Sequence, residues 1–476
     1  MERGCFKFYQ QKWTQIVLLL GFCFVLYFLN LGQWELRKPD EIRYAQVAQE
    51  MVEGGDWIVP RLWPSHPFHG EPYMEKPPLF FWLIALSSYL WKGFNPFSAR
   101  FPSAFFGTLT VLFTFFIGKN LYNSRTGFVS GLILATSFFF ARFSTRANID
   151  ATLTFFITAS LFCFLQWYQG RREGSDGQKD IRRLSIYGFY VGMGLATLTK
   201  GPVGFFLPLL ASLVYLLIQK DWKKIKRMRI LSGMLLCLAI VLSWYLPAIL
   251  KGGQTYLNET LFHQTIDYYS KGWDHPKPIY FYLRNFPVDF LPWILFLPGA
   301  MVYGYSKEAF GKRKEFLFLL TWFIVIFLFF SFSKTKRDLY LLPLYPAASL
   351  MIGKFWGDFI FERIEHFRKE WISLPLYGFM GLSLAAGLII FWEVSKKFPS
   401  YLLYTLPITC FLVGGSIVLF FLYRFKKYGI IFFLSILMAA GGFFYIENIL
   451  FPLEKRLKSP RSISHEMKNE ISLVSP

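Results

Sequence analysis

Apolar runs recur from one end of the chain to the other, broken by short polar stretches. Most have the length that a helix needs to cross the hydrocarbon core of a bilayer, about 20 residues. They fall near 14–31, 98–118, 126–141, 149–168, 184–199, 202–219, 229–250, 288–305, 315–332, 339–360, 372–392, 401–423 and 428–446. The pattern predicts an all-α integral membrane protein with about thirteen transmembrane helices. Two polar regions are long, 32–97 and 251–287. In the first, Tyr44, Val47, Ala48, Met51 and Val52 repeat at helical spacing, with Glu41, Arg43, Gln46, Gln49 and Glu50 opposite. That alternation predicts an amphipathic helix lying on the membrane surface, opened by Pro39-Asp40 with Asp40 as its N-cap. The stretch 79–92 is apolar but short, and is expected as a juxtamembrane or re-entrant helix. The expected organisation is a module over 1–360 that includes both long loops, further transmembrane helices over 361–446, and a short polar tail over 447–476.

Composition fits a membrane protein. Of the 476 residues, 54% are hydrophobic and only 17% charged, against about 25% charged in soluble domains, so a soluble multidomain protein is excluded. The net charge of +21 suits cytoplasmic loops that meet anionic headgroups, not nucleic acid. Arg171, Arg172, Lys179, Arg182 and Arg183, then Lys220, Lys223, Lys224, Lys226, Arg227 and Arg229, then Lys312-Arg313-Lys314, mark the cytoplasmic side. This topology holds only if 79–92 stays outside, with the N-terminus inside and the C-terminus outside. Arg3, Lys7 and Lys12 precede a first apolar run too long for a signal peptide, so an uncleaved first helix is expected. The five cysteines show no disulfide or metal spacing.

Charged groups at a membrane face are costly unless paired or useful, and many gather on the side assigned as outward. Asp40, Glu41 and Arg43 open the surface helix. Glu75-Lys76-Pro77-Pro78 precedes the short apolar helix, and Arg142, Arg146 and Asp150 lie between the third and fourth spans. Lys200-Gly201-Pro202 interrupts an apolar stretch, His263 and His275 lie in the second long loop, and Lys334, Lys336, Arg337 and Tyr340 precede the tenth span. Each has an ordinary alternative: Asp40 as a cap, Asp150 as a first-turn carboxylate favoured by the helix dipole, Lys200 as a snorkelling cation, Tyr340 as an interfacial anchor. Their convergence on one face favours chemistry. A lipid-linked phosphosugar needs cations for its phosphate, charge stabilisation at the departing group, and a carboxylate where the acceptor is a hydroxyl.

Six strings in order, LRKPDEIRYAQVAQEM, YMEKPPLFFW, ARFPSAFFGTL, RANIDATLTFF, LATLTKGP and YLLPLYPAASL, make the chain resemble the GT-C type membrane glycosyltransferases that include the lipid A aminoarabinose transferases and the protein O-mannosyltransferases. The resemblance implies the GT-C fold, with catalytic carboxylates at Asp40, Glu41 and Asp150. It implies donor-phosphate contacts at Arg43, Lys76 and Lys200, with Tyr340 beside them. It also implies a divalent ion, such as zinc, at Glu75 and His263, with His275 as the alternative histidine. The implied partners are a polyprenyl-phosphate sugar donor such as one on undecaprenyl phosphate, lipid A or another envelope acceptor, and membrane lipids, with no nucleic acid and a monomeric chain. The implied place is the bacterial cytoplasmic (inner) membrane with the site facing out. Aminoarabinose transferases carry a larger C-terminal soluble domain, whereas some thirty residues follow the last span here. The competing readings are a protein O-mannosyltransferase and, in another class, a transporter or flippase of lipid-linked sugars. A transporter predicts inverted repeats with charges inside paired broken helices, whereas the charges here sit at loop ends.

Overall fold

The computed structural model describes residues 12–37, 39–62, 71–170, 176–259, 276–306, 312–361, 367–397 and 399–450, and every statement below concerns these. The helices are α1 (Lys12–Cys23), α2 (Asp40–Glu53), α3 (Leu79–Leu90), α4 (Pro96–Leu121), α5 (Ser124–Thr136), α6 (Phe138–Ser144), α7 (Ile149–Gln169), α8 (Asp176–Lys200), α9 (Val203–Ile218) and α10 (Ile230–Leu257). They continue as α11 (Phe281–Asp289), α12 (Leu297–Gly304), α13 (Arg313–Phe332), α14 (Tyr345–Phe361), α15 (Glu370–Lys397), α16 (Leu402–Arg424) and α17 (Tyr428–Tyr445). Two short strands, β1 (Arg61–Leu62) and β2 (Glu71–Pro72), pair antiparallel.

Each stretch expected to cross the membrane carries a helix, but the count of thirteen is not reached. Seven helices are long and apolar enough to cross, and two sharply bent pairs, α5 with α6 (72°) and α11 with the Trp293–Gly304 segment (109°), raise this to nine. Lys12–Phe28 and Val203–Ile218 are apolar but shorter. The stretch over 79–92 forms the 12-residue helix α3, about 18 Å long and too short to cross.

The chain divides into two compact units, Met1–Leu376 and Tyr377–Pro476. In the second, the Ser416 hydroxyl donates to the Met380 carbonyl at 3.2 Å and ties α16 to α15. The site candidates lie in the first unit.

Local sequence explains the elements that carry them. Asn95 caps α4, accepting from the Ser98 N–H at 2.9 Å while Ser98 accepts in return from the Asn95 N–H at 3.0 Å, with Pro96 at the first helical position. Asn148 caps α7, its side chain accepting from the Asp150 N–H at 2.8 Å. Between α8 and α9 the chain turns on Gly201, whose φ of +82° is open to glycine at no steric cost. There Gly204 lets α9 approach α8 so closely that a Cβ would lie 2.2 Å from the Ala196 carbonyl carbon. Backbone cannot yield as a side chain can, so Gly204→Ala is expected to destabilise by about 1–3 kcal/mol, read as a lower melting temperature in detergent. Unchanged melting would show that the two helices are free to separate.

Helix α2 departs from its expected setting. Its apolar face, Tyr44, Val47, Ala48 and Met51, is buried against Phe80, Phe81 and Ile84 of α3, Ala99 of α4 and Ala147 and Ile149 at the start of α7. It packs on protein, not on a lipid surface. Pro39 takes the N-cap position without a side-chain cap, and Asp40 is the first helical residue.

Candidate functional site

Asp40 and Glu41 are neighbours on α2, and successive residues point about 100° apart around a helix, so they meet different surroundings. Glu41 turns inward and is 4% exposed. The Arg100 guanidinium gives it two hydrogen bonds, Nε to Oε1 at 2.8 Å and Nη2 to Oε2 at 2.9 Å. The backbone N–H groups of Ala147 and Arg37 add bonds at 2.8 and 2.7 Å. Arg100 also donates to the carbonyls of Leu31, Trp34 and Glu35, each at 2.9 Å. Burial raises the Glu41 carboxyl, but Arg100 and the two N–H groups outweigh it and hold the group below the usual carboxylate range. The expected catalytic role of Glu41 therefore gives way to an architectural one. A carboxylate with four donors and no access cannot reach an acceptor. It ties α2, α4 and the start of α7 together and fixes Asp40 beside it.

Asp40 points about 100° away around the helix. Its Oδ2 accepts from Arg337 Nη2 at 2.7 Å across 297 residues of sequence. Arg337 lies just before a 3-10 turn, Asp338–Leu344, and its carbonyl accepts from the Tyr282 hydroxyl at 3.0 Å. Nearby, Lys336 donates to the carbonyls of Ser333 and of Lys277, the latter at 3.1 Å, so this cation braces its own loop. The Asp40 side chain is 20% exposed and that of Arg337 35%, so both are reachable from solvent.

Asp150, in the first turn of α7, pairs with Lys200 at the C-terminal end of α8. Its side chain is 5% exposed, four times less than that of Asp40, so it acts through Lys200 more than by direct access. The Lys200 ammonium also lies 4.2 Å from the ring centroid of Tyr340, a cation–π contact that keeps its charge in place. Electrostatically, Lys200 feels Asp40 and Arg337 as well as Asp150. Lys76 enters the same field, with Lys200, Glu75, Asp150 and Arg337 as its charged neighbours.

Arg43, one turn along α2 from Asp40, pairs with Glu75 at 3.1 Å, and the Tyr73 hydroxyl donates to the same Glu75 oxygen at 3.1 Å. His263 and His275 lie outside the described residues. Among the described residues no three His, Cys, Asp or Glu side chains gather as metal ligands. The described member of the expected metal pair, Glu75, accepts from Arg43 and Tyr73 through one carboxylate oxygen.

The structure thus brings Asp40, Asp150, Lys76, Lys200 and Tyr340 together, joins Arg43 and Glu75 at their edge, and withdraws Glu41. Sequence reasoning noted Arg337 in a basic run before the tenth span but did not place it against Asp40. Arg100 carried a weaker signal: a cation inside ARFPSAFF, at the foot of an apolar helix, needs a buried partner.

Residues 75–246 match the dolichyl-phosphate-mannose-protein mannosyltransferase family, a stretch holding Lys76, Asp150 and Lys200 but neither Asp40 nor Tyr340. The undecaprenyl phosphate-alpha-4-amino-4-deoxy-L-arabinose arabinosyl transferase 2 of Pseudomonas fluorescens is 33% identical over 400 residues, 82% of this chain and 67% of that protein. The corresponding transferase of Pectobacterium atrosepticum is 31% identical over 401 residues, again 82% of this chain and 67% of that protein. Among solved structures, ArnT from Cupriavidus metallidurans bound to undecaprenyl phosphate superposes with a TM-score of 0.76 at 23% identity, covering 92% of this chain and 78% of that one. At that identity the likeness speaks for a common fold. Taken with the sequence relationship, it establishes that this multi-pass chain belongs to the family of the undecaprenyl phosphate-aminoarabinose arabinosyl transferases, membrane glycosyltransferases of the GT-C fold.

Proposed function

We propose that the chain moves an aminoarabinose-type sugar from undecaprenyl monophosphate to lipid A, or to another envelope glycolipid, at the outer face of the bacterial cytoplasmic membrane. The observation that carries this reading is the meeting of Lys76, Lys200 and Arg337 around Asp40 and Asp150, from segments far apart in sequence. The acceptor oxygen forms a bond to the anomeric carbon as the bond from that carbon to the phosphate oxygen breaks. The electron pair leaves with the polyprenyl phosphate, and the configuration inverts. Lys76 and Lys200 stabilise the charge that grows on the departing phosphate. A hydroxyl acceptor gives its proton to Asp40. An acceptor phosphate is already ionised at neutral pH, and Asp40 then orients it or offsets charge developing on the sugar.

Mass spectrometry of lipid A and other envelope glycolipids, with and without the gene in the native host, tests the reading. The deletion strain is expected to lose the mass of one sugar from lipid A. Unaltered lipids together with a sugar lost from envelope proteins would instead favour a protein acceptor.

The site also predicts a pH dependence. Burial and the neighbouring Lys200 push the Lys76 ammonium down to about 8. Below that pH Lys76 is charged and meets the donor phosphate; as pH rises through it, the charge is lost. The kcat/KM for the donor, which reports the free enzyme, is expected to fall above about pH 8. In Lys76→Arg the fall should vanish, because a guanidinium stays charged there. A parent profile flat through this range would remove Lys76 from phosphate binding.

A further inference from the structure

We infer that a polar cavity, of about 300 Å³ at the far end of α2, holds a sugar ring of the acceptor's headgroup. The inference rests on the transfer reading above and adds to it the place where the acceptor is recognised. The cavity is lined by Glu50, Gly54, Asp56, Arg61 and Lys251, none of which takes part in the transfer step.

Position links it to the reaction centre. Ten residues of α2 separate Glu50 from Asp40, about 15 Å along the axis, and at about 100° per residue Asp40, Arg43 and Glu50 fall within about 80° of one another. A headgroup lying along that face reaches both ends.

The cavity wall is firmly built. Asp56 Oδ1 accepts from the N–H groups of Ile58 and Val59 at 3.2 and 3.1 Å and from the Lys251 ammonium at 2.8 Å, while Oδ2 lies 3.6 Å from Arg61 Nε. Two indoles pin the same loop, Trp82 Nε1 donating to the Trp57 carbonyl at 3.0 Å and Trp244 Nε1 to the Ile58 carbonyl at 2.7 Å. The Tyr73 N–H fastens it again to the Pro60 carbonyl at 2.7 Å. Lysine 251 and Arg61 thus come from a helix and a strand that one carboxylate holds in register.

Charge balance selects the ligand. Two cations and two carboxylates line one small space. A phosphate would face the Glu50 carboxylate beside cations already paired with Asp56, and an apolar chain would lie against polar, partly solvated walls. A ring of hydroxyls, each both donor and acceptor, satisfies both kinds of group. The volume lies at the lower end of the range for ligand pockets, enough for one ring.

The test uses the purified full-length chain, with lipid A in mixed micelles as acceptor and undecaprenyl phosphate-aminoarabinose as donor. Glu50→Gln and Lys251→Gln are each expected to lower kcat/KM for lipid A about tenfold, through KM, with the donor KM unchanged. Glu50→Trp, which fills the cavity, should lower it further. Acceptor kinetics equal to the parent in all three variants, or a donor KM rising as much as the acceptor KM, would overturn the assignment. Asp40→Asn measured alongside separates the two levels: full activity there would sink the transfer reading itself, whereas an inactive Asp40→Asn beside unaffected cavity variants would sink only the cavity.

Discussion

Asp40→Asn is expected to lower sugar transfer by roughly 10²–10⁴-fold while the protein still inserts and folds. Asparagine keeps the shape of the side chain and can still accept the hydrogen bond that Arg337 donates at 2.7 Å. What it loses is the charge, and with it the ability to take a proton or to offset positive charge on the departing sugar. Because Asp40 is partly exposed, the change should leave stability nearly untouched. Lys200→Ala should be comparably inactive for another reason: it removes the cation paired with Asp150 and seated on Tyr340, leaving a buried carboxylate where a phosphate must bind. The two variants should differ in donor binding. Asp40→Asn is expected to bind undecaprenyl phosphate like the parent, and Lys200→Ala more weakly. Robust transfer by either purified variant would remove that residue from the chemistry.

Arg100→Met is expected to destabilise the fold by about 3–5 kcal/mol, the scale for breaking a buried ion pair from one side. The change strands the Glu41 carboxylate and three backbone carbonyls at the junction of α2, α4 and the chain leading from α1. Glu41→Gln should be milder, because the amide oxygen still accepts from one of the two backbone N–H groups, Ala147 or Arg37, and no charge is left unpaired on the glutamate side. Replacing both partners by apolar residues, often neutral for a simple pair, should not rescue the fold here, since each partner also serves backbone groups. Thermal unfolding in detergent reads the order: parent, Glu41→Gln, Arg100→Met. An Arg100→Met protein that melts with the parent would show that the clamp contributes little.

Sequence determined much of this protein. Run length and apolarity fixed the helices, because a backbone in lipid must satisfy its own hydrogen bonds. The shortness of 79–92 kept that helix from crossing, and helical periodicity found the buried face of α2. The types of charged residue, and their place at loop ends, pointed to phosphate and sugar chemistry. Only the tertiary structure decided which charge meets which. Arg337 lies 297 residues from Asp40, and no local pattern encodes a pairing of that range. Asp40 and Glu41 look alike in sequence, yet one helical step of about 100° sends the first to Arg337 and the second into Arg100. Where α2 rests was settled the same way. An amphipathic face states that it must be covered, not by what, and here α3 and α4 cover it instead of lipid.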